Sequence, residues 1–189
     1  MPIPLGILAV AGAGAAGAGA YDLLETTVLS SNATTVTFTG LGSYSEYKHL
    51  QLRIVVRGTT IGIADNDTLL IRLNSDTGNN YLYHQLSGNG SSVSSSGELD
   101  FPFFVLQDLV PTGDTTANNF GVACVDILDF SNANKFTTIR SLHGAVNSSE
   151  TDIMLQSGLW RNTASITSIT LLYLSTAVIG SRFSLYGIK

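Results

Sequence analysis

The sequence predicts an all-β protein, an antiparallel and jelly-roll-like β-sandwich that is preceded by an extended apolar arm. Only 12% of its 189 residues are charged, about half the usual share. By contrast, 44% are hydrophobic, which is enough for one sizeable core. Ser, Thr, Asn and Gly account for 72 residues. Hydrophobic residues recur with a period of two between clusters of these turn-forming residues, which is the pattern of many short strands.

The period is clearest in residues 48–57, where every second residue is aliphatic: Leu50, Leu52, Ile54 and Val56. Nine further segments have the same character: 34–39, 68–74, 81–86, 103–109, 121–130, 136–142, 153–155, 168–175 and 182–188. Residues 21–29 are the one stretch with a helical alternative, and residues 87–97 are expected to form a long exposed loop. Nine or ten short strands without a recurring helix between them favour a sandwich.

Charge and cysteine content exclude several classes of protein. Nine basic against 14 acidic residues, without a Lys/Arg cluster, leave no electrostatic footprint for nucleic acid. The single cysteine, Cys124, cannot close an internal disulfide. Because it lies in the apolar run 121–125, we expect it to be a small buried hydrophobic residue.

Residues 1–20 differ in composition from the rest of the chain, and we treat them as a separate segment before a sandwich domain at 21–189. They lack the basic n-region of a secretory signal, and their many glycines fit a membrane-spanning helix poorly, so we predict no membrane insertion. A Gly/Ala tract has little tendency to order by itself. We therefore expect an assembly arm threaded into or between neighbouring subunits, and the alternative is a strand or helix that covers its own domain.

No catalytic residue, metal site or cofactor is predicted. The three histidines share no metal-ligand spacing: His49, His84 and His143. A calcium site made from oxygens near residues 65–76 would lack the glycine turn and the closing glutamate of the twelve-residue loop. A pair of carboxylates for glycoside hydrolysis meets only in a folded chain, so a hydrolase stays an alternative.

Two aromatic side chains are candidates for glycan contacts, Tyr83 and Trp160. An aromatic ring can stack on the C–H groups of a pyranose while its polar edge bonds hydroxyls. Aromatic residues in sandwich strands usually pack in the core, so core packing is the competing interpretation. The glycan hypothesis requires at least one of the two rings to be exposed in a shallow groove.

Several segments carry a resemblance to a known family: Tyr21-Asp-Leu-Leu-Glu-Thr26, the run from Ile71 to Tyr81, the run from Gly158 to Leu171, and the ending Phe183-Ser-Leu-Tyr-Gly-Ile188. Residues 21–189 resemble virion structural proteins of tailed bacteriophages, notably those that infect marine bacteria and cyanobacteria. In that family a motif of the kind Arg-x-Asn-x-Asp-x-Gly-x-Asn-Tyr is followed by Trp-x-Asn-Thr and Leu-Tyr-Gly-Ile. This chain matches them at 72–81, 160–163 and 185–188.

The resemblance implies a non-enzymatic appendage on the exterior of the phage particle, of the fibre, spike or head-decoration kind, assembled as a homotrimer. Its partners would be capsid, portal or tail subunits. The arm would then be the anchor, burying its five large aliphatic side chains: Ile3, Leu5, Ile7, Leu8 and Val10. The alternative function is a carbohydrate-binding module that adsorbs the phage to host surface glycans.

Overall fold

The computed structural model describes residues 20–61, 66–146 and 151–189. Within them the chain is built of strands and one short 3-10 helix at Leu41–Ser43. The strands are β1 (Tyr21–Val28), β2 (Ala33–Thr39), β3 (His49–Val56), β4 (Asn66–Leu73), β5 (Tyr81–Gly88), β6 (Val93–Phe101), β7 (Phe104–Pro111), β8 (Gly121–Leu128), β9 (Thr137–Val146), β10 (Thr151–Trp160), β11 (Ser168–Ala177) and β12 (Arg182–Ile188).

The strands form two sheets in which every pairing is antiparallel. The large sheet has eight strands in the order β1-β12-β3-β8-β9-β10-β5-β6, and the small sheet has four in the order β2-β11-β4-β7. The predicted antiparallel β-sandwich is thereby confirmed.

The strand order is that of a jelly roll with two insertions. Four neighbouring strands of the large sheet, β1-β12-β3-β8, form one half of an eight-stranded jelly roll, and the small sheet, β2-β11-β4-β7, forms the other half. The chain crosses between these two sets of four strands at almost every connection. The hairpins β5–β6 and β9–β10 are inserted between these strands and extend the large sheet beyond the small one. The extension widens one sheet face, and that face is the surface of interest below.

The helical alternative for residues 21–29 is excluded, and the expectation of a loop at residues 87–97 was wrong. Residues 21–28 are not helical, because they pair with β12 along their length, with a bulge between Leu23 and Glu25. The expected loop at 87–97 is largely strand, because Ser87 and Gly88 end β5 and Val93–Phe101 pairs with it as β6. Serine-rich β6 has no hydrophobic period of its own, so its strand conformation follows from its hydrogen-bonded neighbour.

The core lies between the two sheets and is made by the alternating inward residues of both. Its largest fully buried side chains are Trp160, Tyr81, Phe38, Phe104, Phe130 and Phe183. The aliphatic period of β3 supplies one row of this core, as predicted, since Leu50, Leu52, Ile54 and Val56 are all buried. The arm residues Ile3, Leu5, Ile7, Leu8 and Val10 lie outside the described residues.

Candidate functional site

The outward face of the large sheet is apolar over half its area, where a solvated sheet face would be polar. The strand register places Val55 beside Val122, and Val122 beside Gly144. The row continues from Gly144 to Ile153 and, through β5, to Val93 on β6. A second row runs parallel to the first, through Cys124, Leu142, Leu155 and Leu86. Together these rows cross the sheet almost from edge to edge.

We call this region the apolar half-face and define it by nine exposed aliphatic residues: Val28, Val55, Leu86, Val93, Val122, Leu142, Val146, Ile153 and Leu155. Their exposed fractions range from 39% at Val55 to 73% at Val93. Single exposed aliphatic residues are ordinary, but a contiguous patch of this kind marks an interaction surface.

A shallow groove of about 710 Å³ crosses the apolar half-face. Val55, Val122 and Leu142 line its floor, and Asn119 and Phe120 from the loop before β8 stand beside it. Cys124 also lines this groove and is of intermediate exposure, so the expectation that it is a buried residue was wrong. Its thiol points to the outward face, where burial nonetheless raises its pKa.

The other half of the same face is polar and internally paired. Asp126 accepts hydrogen bonds from Gln51 at 2.7 Å and from Arg140 at 2.8 Å. At the corner where β1 begins, Tyr21 stacks on Tyr186 with ring centroids 4.8 Å apart. The guanidinium of a neighbouring arginine, Arg53, lies 5.0 Å from the centroid of the Tyr186 ring. The polar side chains of this half thus pair with one another, whereas the apolar half-face presents aliphatic side chains.

Strand β6 is exposed along almost its whole length. Residues 93–100 are exposed on both faces of the sheet, and within the described residues β5 is the only strand that β6 pairs with. An edge strand without cover on either face invites pairing or packing by another chain. Strand β6 therefore continues the apolar half-face into a region that also lacks cover.

The two side chains predicted as glycan contacts do not present their rings to solvent. Trp160 is fully buried, and Tyr83 is 6% exposed. Both lie on inward positions of the large sheet, where Tyr83 packs edge-on against Phe104 and Trp160 stacks near Tyr81. Core packing is thus the correct interpretation of both aromatic residues, and the glycan hypothesis loses the residues on which it rested.

The motif segments 72–81 and 160–171 lie against each other and bond to each other. Asp76 accepts hydrogen bonds from Trp160 at 2.7 Å, from Asn80 at 2.8 Å and from the backbone N–H of Gly78 at 2.8 Å. Burial by itself would raise the pKa of Asp76, but the hydrogen bonds from Asn80, Trp160 and Gly78 lower it below its usual value. The motif residues therefore have a structural role that locks one end of the sandwich.

Asn74 joins the same two segments at a tight turn. Its amide donates to the Ser165 carbonyl at 2.9 Å, and its side-chain oxygen accepts from the backbone N–H of Thr167 at 2.7 Å. Asn74 and Ser75 both have positive φ, 51° and 57°, as the two central residues of a type I′ turn do. The oxygens considered for calcium are thus engaged within the protein at Asn74 and Asp76, and residue 65 lies outside the described residues.

The three histidines lie in different environments. His143 is buried and sits within a polar cluster between the sheets, where its ring nitrogens lie 3.1 Å from Ser141 Oγ and 3.1 Å from the Gln107 carbonyl. His49 accepts a hydrogen bond from the backbone N–H of Asp129, and His84 is exposed. Over residues 20–61, 66–146 and 151–189, no group of three or more His, Cys, Asp and Glu side chains could hold a metal ion.

Sequence reasoning missed the apolar half-face, although a signal was present. The run 121–125 is apolar at every position, so both faces of β8 are apolar over this run, but we expected Cys124 within it to be buried. Val122 is 56% exposed, whereas Val125 is fully buried. Residues 153–155 show the same pattern, with Ile153 and Leu155 outward and Met154 inward.

Comparison with protein-family models and with curated proteins returns no match for this chain. No helix in the described part of the chain is long and apolar enough to span a membrane.

Proposed function

We propose that this chain is a non-enzymatic structural protein of a bacteriophage virion. It forms an appendage on the exterior of the particle, a fibre, spike or head decoration, and assembles as a homotrimer. Its N-terminal arm anchors it to a capsid, portal or tail subunit. The phage assignment rests on the resemblance of residues 21–189 to virion proteins, and the sandwich contributes the argument for assembly.

The observation that carries the proposal is the apolar half-face on a jelly-roll domain. Jelly rolls recur in viral capsid and lectin domains, where the sandwich is a rigid block that presents its surfaces to partners. Here one such surface is aliphatic across two rows of the large sheet. A protein component built to be covered in an assembly accounts for that surface, because exposed aliphatic area is unfavourable in water.

The interlocked motif segments support the same interpretation. Residues that resemble the family at 72–81 and 160–163 hold the β4–β5 turn against the start of the β10–β11 connection. The hydrogen bonds of Asp76 and Asn74 hold this end of the sandwich together. Such bracing suits a component that must keep its shape on the outside of a particle.

The first test is whether the chain is part of the particle. Virions of the encoding phage would be purified on a density gradient, and the chain would be quantified by mass spectrometry and located by immunogold labelling. We expect the chain in the particle band, at a fixed copy number, and accessible to antibody. Its absence from purified particles would overturn the proposal.

The second test concerns the anchor and uses the full chain. The five arm aliphatic residues would be replaced together by asparagine: Ile3, Leu5, Ile7, Leu8 and Val10. We expect the variant to fold but to be lost from particles. The control is Ile179→Asn, a replacement of an exposed residue in the β11–β12 turn. Normal incorporation of the five-residue variant would show that the arm is not the anchor.

A further inference from the structure

We infer that a second copy of this chain packs on the apolar half-face, so that copies meet through the outward face of their large sheets. The inference rests on the self-association part of the proposed function and adds to it the surface through which the copies meet. It does not depend on where in the particle the protein lies.

The area of the patch supports a copy-to-copy contact. Nine aliphatic side chains, each about half exposed, offer on the order of 800 Å² of apolar surface, which is what one partner contributes to a standard stable interface. The largest apolar patch on a typical monomer is smaller, roughly 300–600 Å².

The charge distribution also suits a symmetric contact. In the two apolar rows, the charged residues at described outward positions are Arg53 and Arg182, and both lie toward the β12–β3 side. Beside Leu142 and Leu155 on the same face, Arg140 is paired with Asp126. Three identical surfaces can therefore face a common threefold axis without bringing unpaired like charges together, as the proposed trimer requires.

The exposed β6 strand also supports contact with a second copy. It continues the first apolar row through Val93, and it is uncovered on both faces. A copy seated on the apolar half-face would extend over the β5–β6 hairpin and would cover one face of β6. Burying that face removes from water part of an edge strand that no second layer covers.

The test compares the full-length protein with Val122→Lys/Leu155→Lys, two outward replacements that leave the core untouched. Sedimentation equilibrium gives the mass, and the rate at which a maleimide modifies Cys124 reports whether the groove is covered. Cys124 is the chain's single cysteine, so the label reports on one site. Far-UV circular dichroism and the emission of buried Trp160 show that the fold is kept. Leu174→Lys, at an exposed position on the small sheet, is the matched control.

We expect the wild type and Leu174→Lys to sediment as a multiple of the 19.9 kDa chain, with slow modification of Cys124. The double variant should sediment at the mass of one chain, with fast modification. An oligomer that survives both lysines would overturn the inference and leave the proposed trimer standing. A wild type that stays a single chain at ~100 µM would overturn both. If such a monomer protected Cys124 until the arm was mutated, the arm would be the occupant.

Discussion

The indole N–H of Trp160 donates a hydrogen bond of 2.7 Å to the carboxylate of Asp76 and so joins two segments that are 84 residues apart in the sequence. Three N–H donors converge on this carboxylate, from Trp160, Asn80 and Gly78. The carboxylate accepts all three because both of its oxygens are acceptors. This arrangement explains why an acidic residue and a tryptophan occur together in the motif segments without forming a ligand site.

Replacing Asp76 by asparagine should destabilise the sandwich by about 2 kcal/mol. An amide has one acceptor oxygen, so its NH₂ group must face one of the three converging donors. Unfolding in guanidinium chloride can be followed by the emission of Trp160, the chain's single tryptophan. The control is Asp100→Asn, which removes an exposed ion pair with Arg161 and should cost less than about 1 kcal/mol. Equal losses for both variants would contradict this account.

The stability of the protein should fall as the pH is lowered from about 6.5 to about 4, because of His143. Burial lowers the pKa of His143 from 6.5 to about 4, against the opposing effect of the hydrogen bond with the Gln107 carbonyl. Between these values the unfolded chain binds a proton that the folded protein does not, so the free energy of unfolding rises with pH. At about 1.4 kcal/mol per pH unit, the full effect is on the order of 3 kcal/mol.

The measurement is the guanidinium midpoint as a function of pH for three proteins. His143→Gln should flatten the slope between pH 4 and 6.5, since the titrating group is gone. His84→Gln, at an exposed position in β5, should leave the slope of the wild type unchanged. A slope that persists in His143→Gln would assign the pH dependence to other groups.

Replacing Arg57 by methionine should cost about 3 kcal/mol, because its buried guanidinium holds the loop between β7 and β8. The guanidinium donates to the carbonyls of Thr116, Asn119 and Thr115 at 2.8, 3.0 and 3.0 Å. Without it these carbonyls lose their donor. Amide hydrogen exchange should speed up in residues 112–120, and equilibrium unfolding gives the total loss. Arg182→Met, at an exposed position, should change stability by less than about 0.5 kcal/mol.

Gly121→Ala should destabilise the protein severely, by about 3 kcal/mol or more, because the backbone of β7 passes too close for a side chain. A Cβ atom at this position would lie 1.6 Å from the Leu109 carbonyl oxygen. Gly42→Ala is the matched control, since a Cβ there meets nothing within 4 Å. Thermal unfolding by circular dichroism should separate the two variants clearly. Similar midpoints would show that the sheets shift to accommodate the methyl group.

Much of the fold could be predicted from the chain alone, since inward and outward residues alternate along strands such as β3. Two segments without a period of their own could not be assigned in this way. Residues 93–101 become β6 because β5 supplies hydrogen-bonding partners, and residues 21–28 become β1 because β12 does the same. These strands are determined by pairing with other segments of the chain, and a local sequence pattern does not show that pairing.

By itself, the sequence determined the class of the protein: a neutral, serine- and threonine-rich sandwich with one core, and motif segments that resemble phage virion proteins. Only the tertiary structure decided which apolar residues are inside. A run that is apolar on both faces of a strand, such as residues 121–125 of β8, has no polar side to indicate its orientation. The sheet order places the second layer against Val125 and leaves Val122 in solvent. The same order buries Trp160. The sequence shows that an aromatic ring is present, but whether that ring is exposed depends on the layer that packs over it.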